Sequence, residues 1–184
     1  KRNFMKHDEK VGQEENQIKN INNRLGLRIE KASDVKIRPI KWLWPGVLAL
    51  GKLVIIAGDP GLGKSQVCIC LCAIVSSGGK WPASEENCVK GSVIILSAED
   101  GAEDTIVPRL KAVSADLENI HIVHAVKLGK GKERAFDLTR DVEQIRYTLN
   151  SIENVRLVVV DPVSAYLGRT DSHRNSEVRA VMTP

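Results

Sequence analysis

One stretch, Gly58-Asp59-Pro60-Gly61-Leu62-Gly63-Lys64-Ser65, constrains this chain more than any other. It fits G-x-x-x-x-G-K-[ST] at every fixed position. Glycines let the backbone turn tightly and bring its N–H groups close to phosphate oxygens. A helix starting near Gly63 would add its positive N-terminal end. Lys64 can reach β- and γ-phosphates as a point charge, and the Ser65 hydroxyl suits Mg²⁺, a hard cation that prefers oxygen. The pattern predicts an ATP cradle made of Gly58, Asp59, Pro60, Gly61, Leu62, Gly63, Lys64, Ser65 and Gln66, with Lys64 also serving catalysis.

The surroundings suit such a loop. Leu53–Ala57 is a short unalternated apolar run, and so are Ser92–Ser97, Ile120–His124 and Arg156–Asp161. Runs of this kind read as strands buried on both faces. Between them lie helical patterns: residues 64–77 with Val67, Leu71, Ile74 and Val75 on one side, 103–114 with Pro108 bending or restarting the helix, and 138–152 with a stripe of Leu138, Val142, Ile145, Leu149 and Ile152. Strands alternating with helices predict an α/β fold, a mainly parallel sheet flanked by helices. Residues 1–40 are polar, with Ile18, Ile21 and Leu25 marking one short helix, and read as an arm before a core at 41–184.

Phosphate chemistry also needs carboxylates. Asp161 ends a buried strand, and ligands of α/β sheets bind at the carboxyl ends of strands. It is expected beside the loop, sharing Mg²⁺ with Ser65. Glu99, just after the second strand, is the candidate general base for the attacking water. Asp100 reads as the cap of the next helix and as the next candidate for that base.

Composition narrows the remaining choices. Hydrophobic residues make up 42% and charged residues 27%, which excludes disorder over the whole chain. No apolar run approaches the ~18 residues of a membrane helix, and the first ten residues carry no signal-like apolar stretch. Net charge is +4, from 27 basic and 23 acidic residues, which permits nucleic acid without arguing for it. Cys68, Cys70, Cys72 and Cys88 have no second Cys/His cluster to complete a metal site; they read as small buried hydrophobes in a reducing cytoplasm. Lys127–Arg134 is a basic Gly-containing loop that reads as solvated, since it lacks interleaved aromatics for stacking on bases. Arg109 reads as solvated or salt-bridged, His121 and His124 as packed or edge residues, and Trp42 and Trp44 as cover for the sheet edge.

Taken together, Trp42-Leu43-Trp44-Pro45-Gly46, the phosphate loop, Leu96-Ser97-Ala98-Glu99-Asp100, Val160-Asp161-Pro162 and Asp171-Ser172-His173-Arg174-Asn175 resemble the RecA-like AAA ATPases of the AAA_25 group, over roughly residues 38–184. That group is related to plasmid RepA-type hexameric helicases and, more distantly, to the DnaB and KaiC proteins. The resemblance implies a RecA-like P-loop NTPase that hydrolyses ATP with Glu99 as base. It also implies a homo-oligomeric ring, usually of six subunits, and an arginine finger from the neighbour. His173 falls where relatives carry a polar sensor linking nucleotide state to DNA. Such cores place a further strand between the phosphate-loop strand and the strand ending in Asp161, and residues up to Pro184 offer none. The core is therefore expected to be incomplete at its C-terminus, in a natural protein that continues. The leading expectation is a Mg²⁺-ATPase serving DNA replication or helicase activity of a plasmid, phage or mobile element, with ATP and single-stranded DNA as partners. The rivals are a KaiC-like nucleotide switch or oligomerisation module without nucleic acid, and a P-loop small-molecule kinase, which the lack of an Arg-rich lid disfavours.

Overall fold

The structure, a computed structural model, describes residues 29–167. The expectations on the arm helix at 18–25, on His173 and on the segment 171–184 fall outside those residues. The chain divides into two units between Pro39 and Ile40. In the first, the described residues form one 3-10 turn, Ala32–Asp34.

The second unit contains, in chain order, β1 (Trp42–Trp44), β2 (Leu48–Ala49), α1 (Lys64–Ser77), β3 (Ser92–Ser97), α2 (Val107–Ala112), β4 (Ile120–Val123), β5 (Val126–Gly129), β6 (Lys132–Arg134), α3 (Val142–Ser151) and β7 (Val155–Asp161). β3 is the centre of a parallel sheet of order β4-β3-β7. Its alternating side chains build two cores. Val93 and Ile95 join Val159, Leu71, Cys72 and Val75 of α1, and Leu110 of α2, on one face. Ile94 and Leu96 join Phe136 and Tyr166 on the other, where Ile145 and Leu149 of α3 pack. Helices thus flank a parallel sheet, the α/β arrangement that the alternating sequence pattern predicts.

β1 and β2 form an antiparallel hairpin. Trp44 stacks flat on Trp81, with ring centroids 5.0 Å apart and planes 1° from parallel. This joins the hairpin to the cluster around α1 and accounts for one of the two flanking tryptophans; Trp42 stays largely exposed.

Four local expectations need correcting. Residues 53–57 run without strand pairing, and Leu53, Val54, Ile55 and Ile56 are exposed. No described strand lies alongside them, and an apolar run becomes a buried strand only when a neighbour takes its N–H and C=O groups. In α1, Val67 is exposed while Ile69 and Cys72 are buried. That helix is apolar on most sides, so sequence spacing does not single out its buried stripe. The helix expected from residue 138 starts at Val142, which is exposed. The basic loop at 127–134 is a hairpin, β5 paired antiparallel with β6 around Lys130 in a left-handed conformation.

A close approach fixes the start of β3. A Cβ on Gly91 would lie 2.7 Å from the Arg156 side chain and from the Asn154 carbonyl oxygen. Only glycine lets the chain enter beside β7 there.

Candidate nucleotide site

The site is assembled at the carboxyl ends of β3 and β7. Ser97 and Asp161 are register partners, and the Ala98 N–H donates to the Asp161 carbonyl at 3.3 Å, which holds the two strand ends together. The phosphate loop enters α1 at the same edge. Gly61 and Gly63 have φ of 80° and 82°, while a Cβ on either would meet nothing within 4 Å. Glycine is needed here for its backbone conformation and not for room.

Gly63 is the N-cap of α1, and no side chain caps that end. Neither is there an acidic residue in the first turn, so the amides of Lys64, Ser65 and Gln66 begin the helix with no competing anion. The Lys64 ammonium folds back over the loop and donates to the carbonyls of Gly58 (2.9 Å) and Asp59 (2.8 Å). An ammonium has three donors, so one N–H is left to turn toward an anion.

Ser65, Cys68, Ser97, Asp100 and Asp161 line one cleft, floored by Ile69, Ile95 and Val159. The structure therefore brings Ser65 and Asp161 together. Glu99 stands outside that cleft, exposed at the end of β3. Asp100 is the carboxylate that turns into it. The expected capping role of Asp100 gives way to other bonds: Gly101 is the N-cap of the π-helical turn Ala102–Ile106 and makes no side-chain cap bond, Asp100 accepts from Arg109 at 2.9 Å, and the Asp100 N–H donates to the Ser97 hydroxyl at 3.3 Å. Arg109 is salt-bridged, and Pro108 sits in the first turn of α2, where its missing N–H costs nothing. His121 is half-buried opposite Ile94, and His124 is exposed beyond β4.

The sequence reading of the cysteines as small buried hydrophobes holds for Cys72 and Cys88, while Cys68 and Cys70 are only half-buried. Burial pushes the Cys68 thiol up, with the nearby Asp161 charge adding to it, and pushes Cys72 up to about 12. These thiols stay protonated at neutral pH and fill space beneath Ser65; all four cysteines are free. One feature was not read from the sequence, an ion pair. Asp141, only 1% exposed, accepts from both terminal nitrogens of Arg134, at 2.5 and 2.6 Å, and from the Asp137 N–H at 2.9 Å. The Arg134 guanidinium holds the Asp141 carboxyl below the usual carboxylate range. The pair ties the base of the β5–β6 hairpin to the start of α3; no spacing rule could have paired those residues in advance.

Among the described residues no three His, Cys, Asp or Glu side chains gather as a preformed metal cage. The charged and hydroxyl donors that gather, from Ser65, Ser97, Asp100 and Asp161, are oxygen, and the Cys68 thiol beside them stays protonated. They suit a hard cation that keeps several waters and takes its other ligands from phosphate. No helix among the described residues is long and apolar enough to cross a membrane.

The sequence model of the AAA_25 family, described as an AAA domain, matches residues 21–184. No curated protein and no solved structure matched the chain.

Proposed function

The chain belongs to the AAA_25 family of AAA domains, RecA-like in fold and nucleotide-binding ATPases in general activity, and on that premise we propose a specific assignment of its residues. ATP lies on Gly58–Gln66, with the loop amides and the Lys64 ammonium on its phosphates. Ser65 and Asp161 would hold Mg²⁺, which when bound would offset the negative charge of the phosphates. Glu99 takes the proton of the attacking water, and His173 senses the nucleotide state. The observation that carries this reading is the meeting of Ser65 and Asp161 in one cleft directly under the start of α1.

For the whole protein we propose a cytoplasmic homo-oligomeric ring, six-membered by resemblance, acting on single-stranded DNA in replication or unwinding for a plasmid, phage or mobile element. What supports it is the breadth of the family match together with the motifs at Glu99 and Asp161.

Two measurements test the site. Isothermal titration with ATP·Mg²⁺ should show Lys64→Ala losing a few kcal/mol of affinity, because phosphate charge is left uncompensated. Equal affinity would remove the loop assignment. Glu99→Gln should bind ATP like the parent and turn over on the order of 10²-fold more slowly or worse, since an amide cannot accept the proton. Unchanged turnover would shift the base to Asp100, a carboxylate that lines the cleft.

A further inference from the structure

The β5–β6 hairpin carries three cations with no assigned role. Lys127, Lys130 and Lys132 are exposed, and none forms a salt bridge among the described residues, although Glu133 stands opposite Lys127 across the hairpin. The one arginine of the hairpin, Arg134, is committed to Asp141 and acts as an anchor. Seen as sequence, this stretch lacks an aromatic platform. The fold supplies one: Lys127 borders a groove of about 580 Å³ that runs between the β4 side of the sheet and α3, where Tyr147 stands 76% exposed. Ile94, Val126 and Phe136 floor the groove. Its one carboxylate, Glu143, is exposed and lies 3.4 Å from Arg146.

Exposed lysines beside an apolar slot with an exposed tyrosine are complementary to a chain of phosphates bearing flat bases. We propose that this hairpin and groove form a contact for single-stranded nucleic acid, with phosphates on Lys127, Lys130 and Lys132 and a base stacked against Tyr147. The contact is independent of sequence, because the lysine side chains reach phosphates and not base edges. It rests on the nucleic-acid part of the function proposed above, but not on the assignment of the nucleotide site. β4 runs parallel to β3 and β7, so the hairpin that follows it springs from the same edge of the sheet as Ser97 and Asp161. A strand bound there would lie at the carboxyl end of the sheet, on the face opposite the one that floors the nucleotide cleft.

Fluorescence anisotropy of a labelled oligothymidylate, read over a salt series, tests this directly. Thermal melts of each variant provide the check on folding, and exposed lysines changed to glutamine should leave them unmoved. Replacing Lys127, Lys130 and Lys132 together by Gln should flatten the slope of log affinity against log salt by about 2, at roughly 0.7 per lost phosphate contact on a single strand. Tyr147→Ala should weaken binding about fivefold or more with the slope unchanged, and Tyr147→Phe should retain affinity. If the parent protein binds and the lysine variant matches it in affinity and slope, the hairpin is overturned while nucleic-acid binding stands. An unaltered affinity for Tyr147→Ala overturns the groove as the base site. A parent protein that binds no nucleic acid overturns both this contact and the nucleic-acid reading behind it.

Discussion

Residues 53–56 and 93–96 are nearly interchangeable on paper, Leu-Val-Ile-Ile against Val-Ile-Ile-Leu. The structure treats them in opposite ways. Val93, Ile94, Ile95 and Leu96 are 0–3% exposed between two parallel neighbours, whereas Leu53, Val54, Ile55 and Ile56 are 42–54% exposed and pair with nothing described. Each run leads into a loop of the candidate site, the first into Gly58–Ser65 and the second into Ser97–Asp100. The contrast separates two things that an apolar run mixes: composition specifies that a segment is suited to a sheet, and burial depends on strands at its hydrogen-bonding edges.

Hydrogen exchange should show the largest difference. Amides of β3 donate to one or other of its two neighbours, β4 and β7, and should open only with global unfolding, with protection on the order of 10³ or more. Amides of 53–57 lack such bonds among the described residues and should exchange close to the free-chain rate. Comparable protection in both runs would mean that 53–57 is paired in solution, and the contrast would collapse.

Truncation sharpens the same comparison energetically. Ile94 is packed against Phe136 and Tyr166 in one of the two cores, so Ile94→Ala should cost about 2–5 kcal/mol in urea unfolding. Ile55→Ala removes a half-solvated side chain and should cost under about 1 kcal/mol. A cost for Ile55→Ala as large as that for Ile94→Ala would show that this residue is buried in the working protein.

The elements best legible in the sequence were those whose ends carry local chemistry. α1 runs from Lys64 to Ser77 as expected, because left-handed glycines, Gly63 and Gly78, bracket it. β3 and β7 follow from their β-branched runs, within a residue at their ends. Pairing was less legible, since it depends on residues distant in the chain; the three-stranded order emerges only in the structure. So was the burial face of α1, where cysteines and aliphatics surround the axis and Val67 points outward. The Lys127–Arg134 hairpin was missed for its charge, although Gly129-Lys130-Gly131 is a turn signal. At the site, the glycine spacing and the strand-ending Asp161 were local and legible. The placement of Glu99 outside the cleft, and of Asp100 within it, depends on how the chain turns after Ser97. Arg109, which bonds Asp100 in this turn, comes nine residues after it.

That turn gives the smallest effect and the finest test of the comparison. The two runs hold their loops by different means. After 53–57 the anchor is the Lys64 ammonium on the Gly58 and Asp59 carbonyls; after β3 it is the Asp100–Arg109 pair, with the Ala98 to Asp161 backbone bond beside it. Both Asp100 and Arg109 are partly exposed, so their attraction is screened by water and salt. Arg109→Ala should therefore change stability by less than about 1 kcal/mol, and by still less at high salt. Its effect on hydrolysis should be the larger one, because Asp100, which the pair holds, directly follows Glu99. Turnover should fall several-fold with ATP affinity unchanged, and Arg109→Lys should restore part of it. A loss of stability and turnover in the same proportion would show that Arg109 only supports the fold of α2. If neither changes, the backbone bond between β3 and β7 is sufficient to place Glu99.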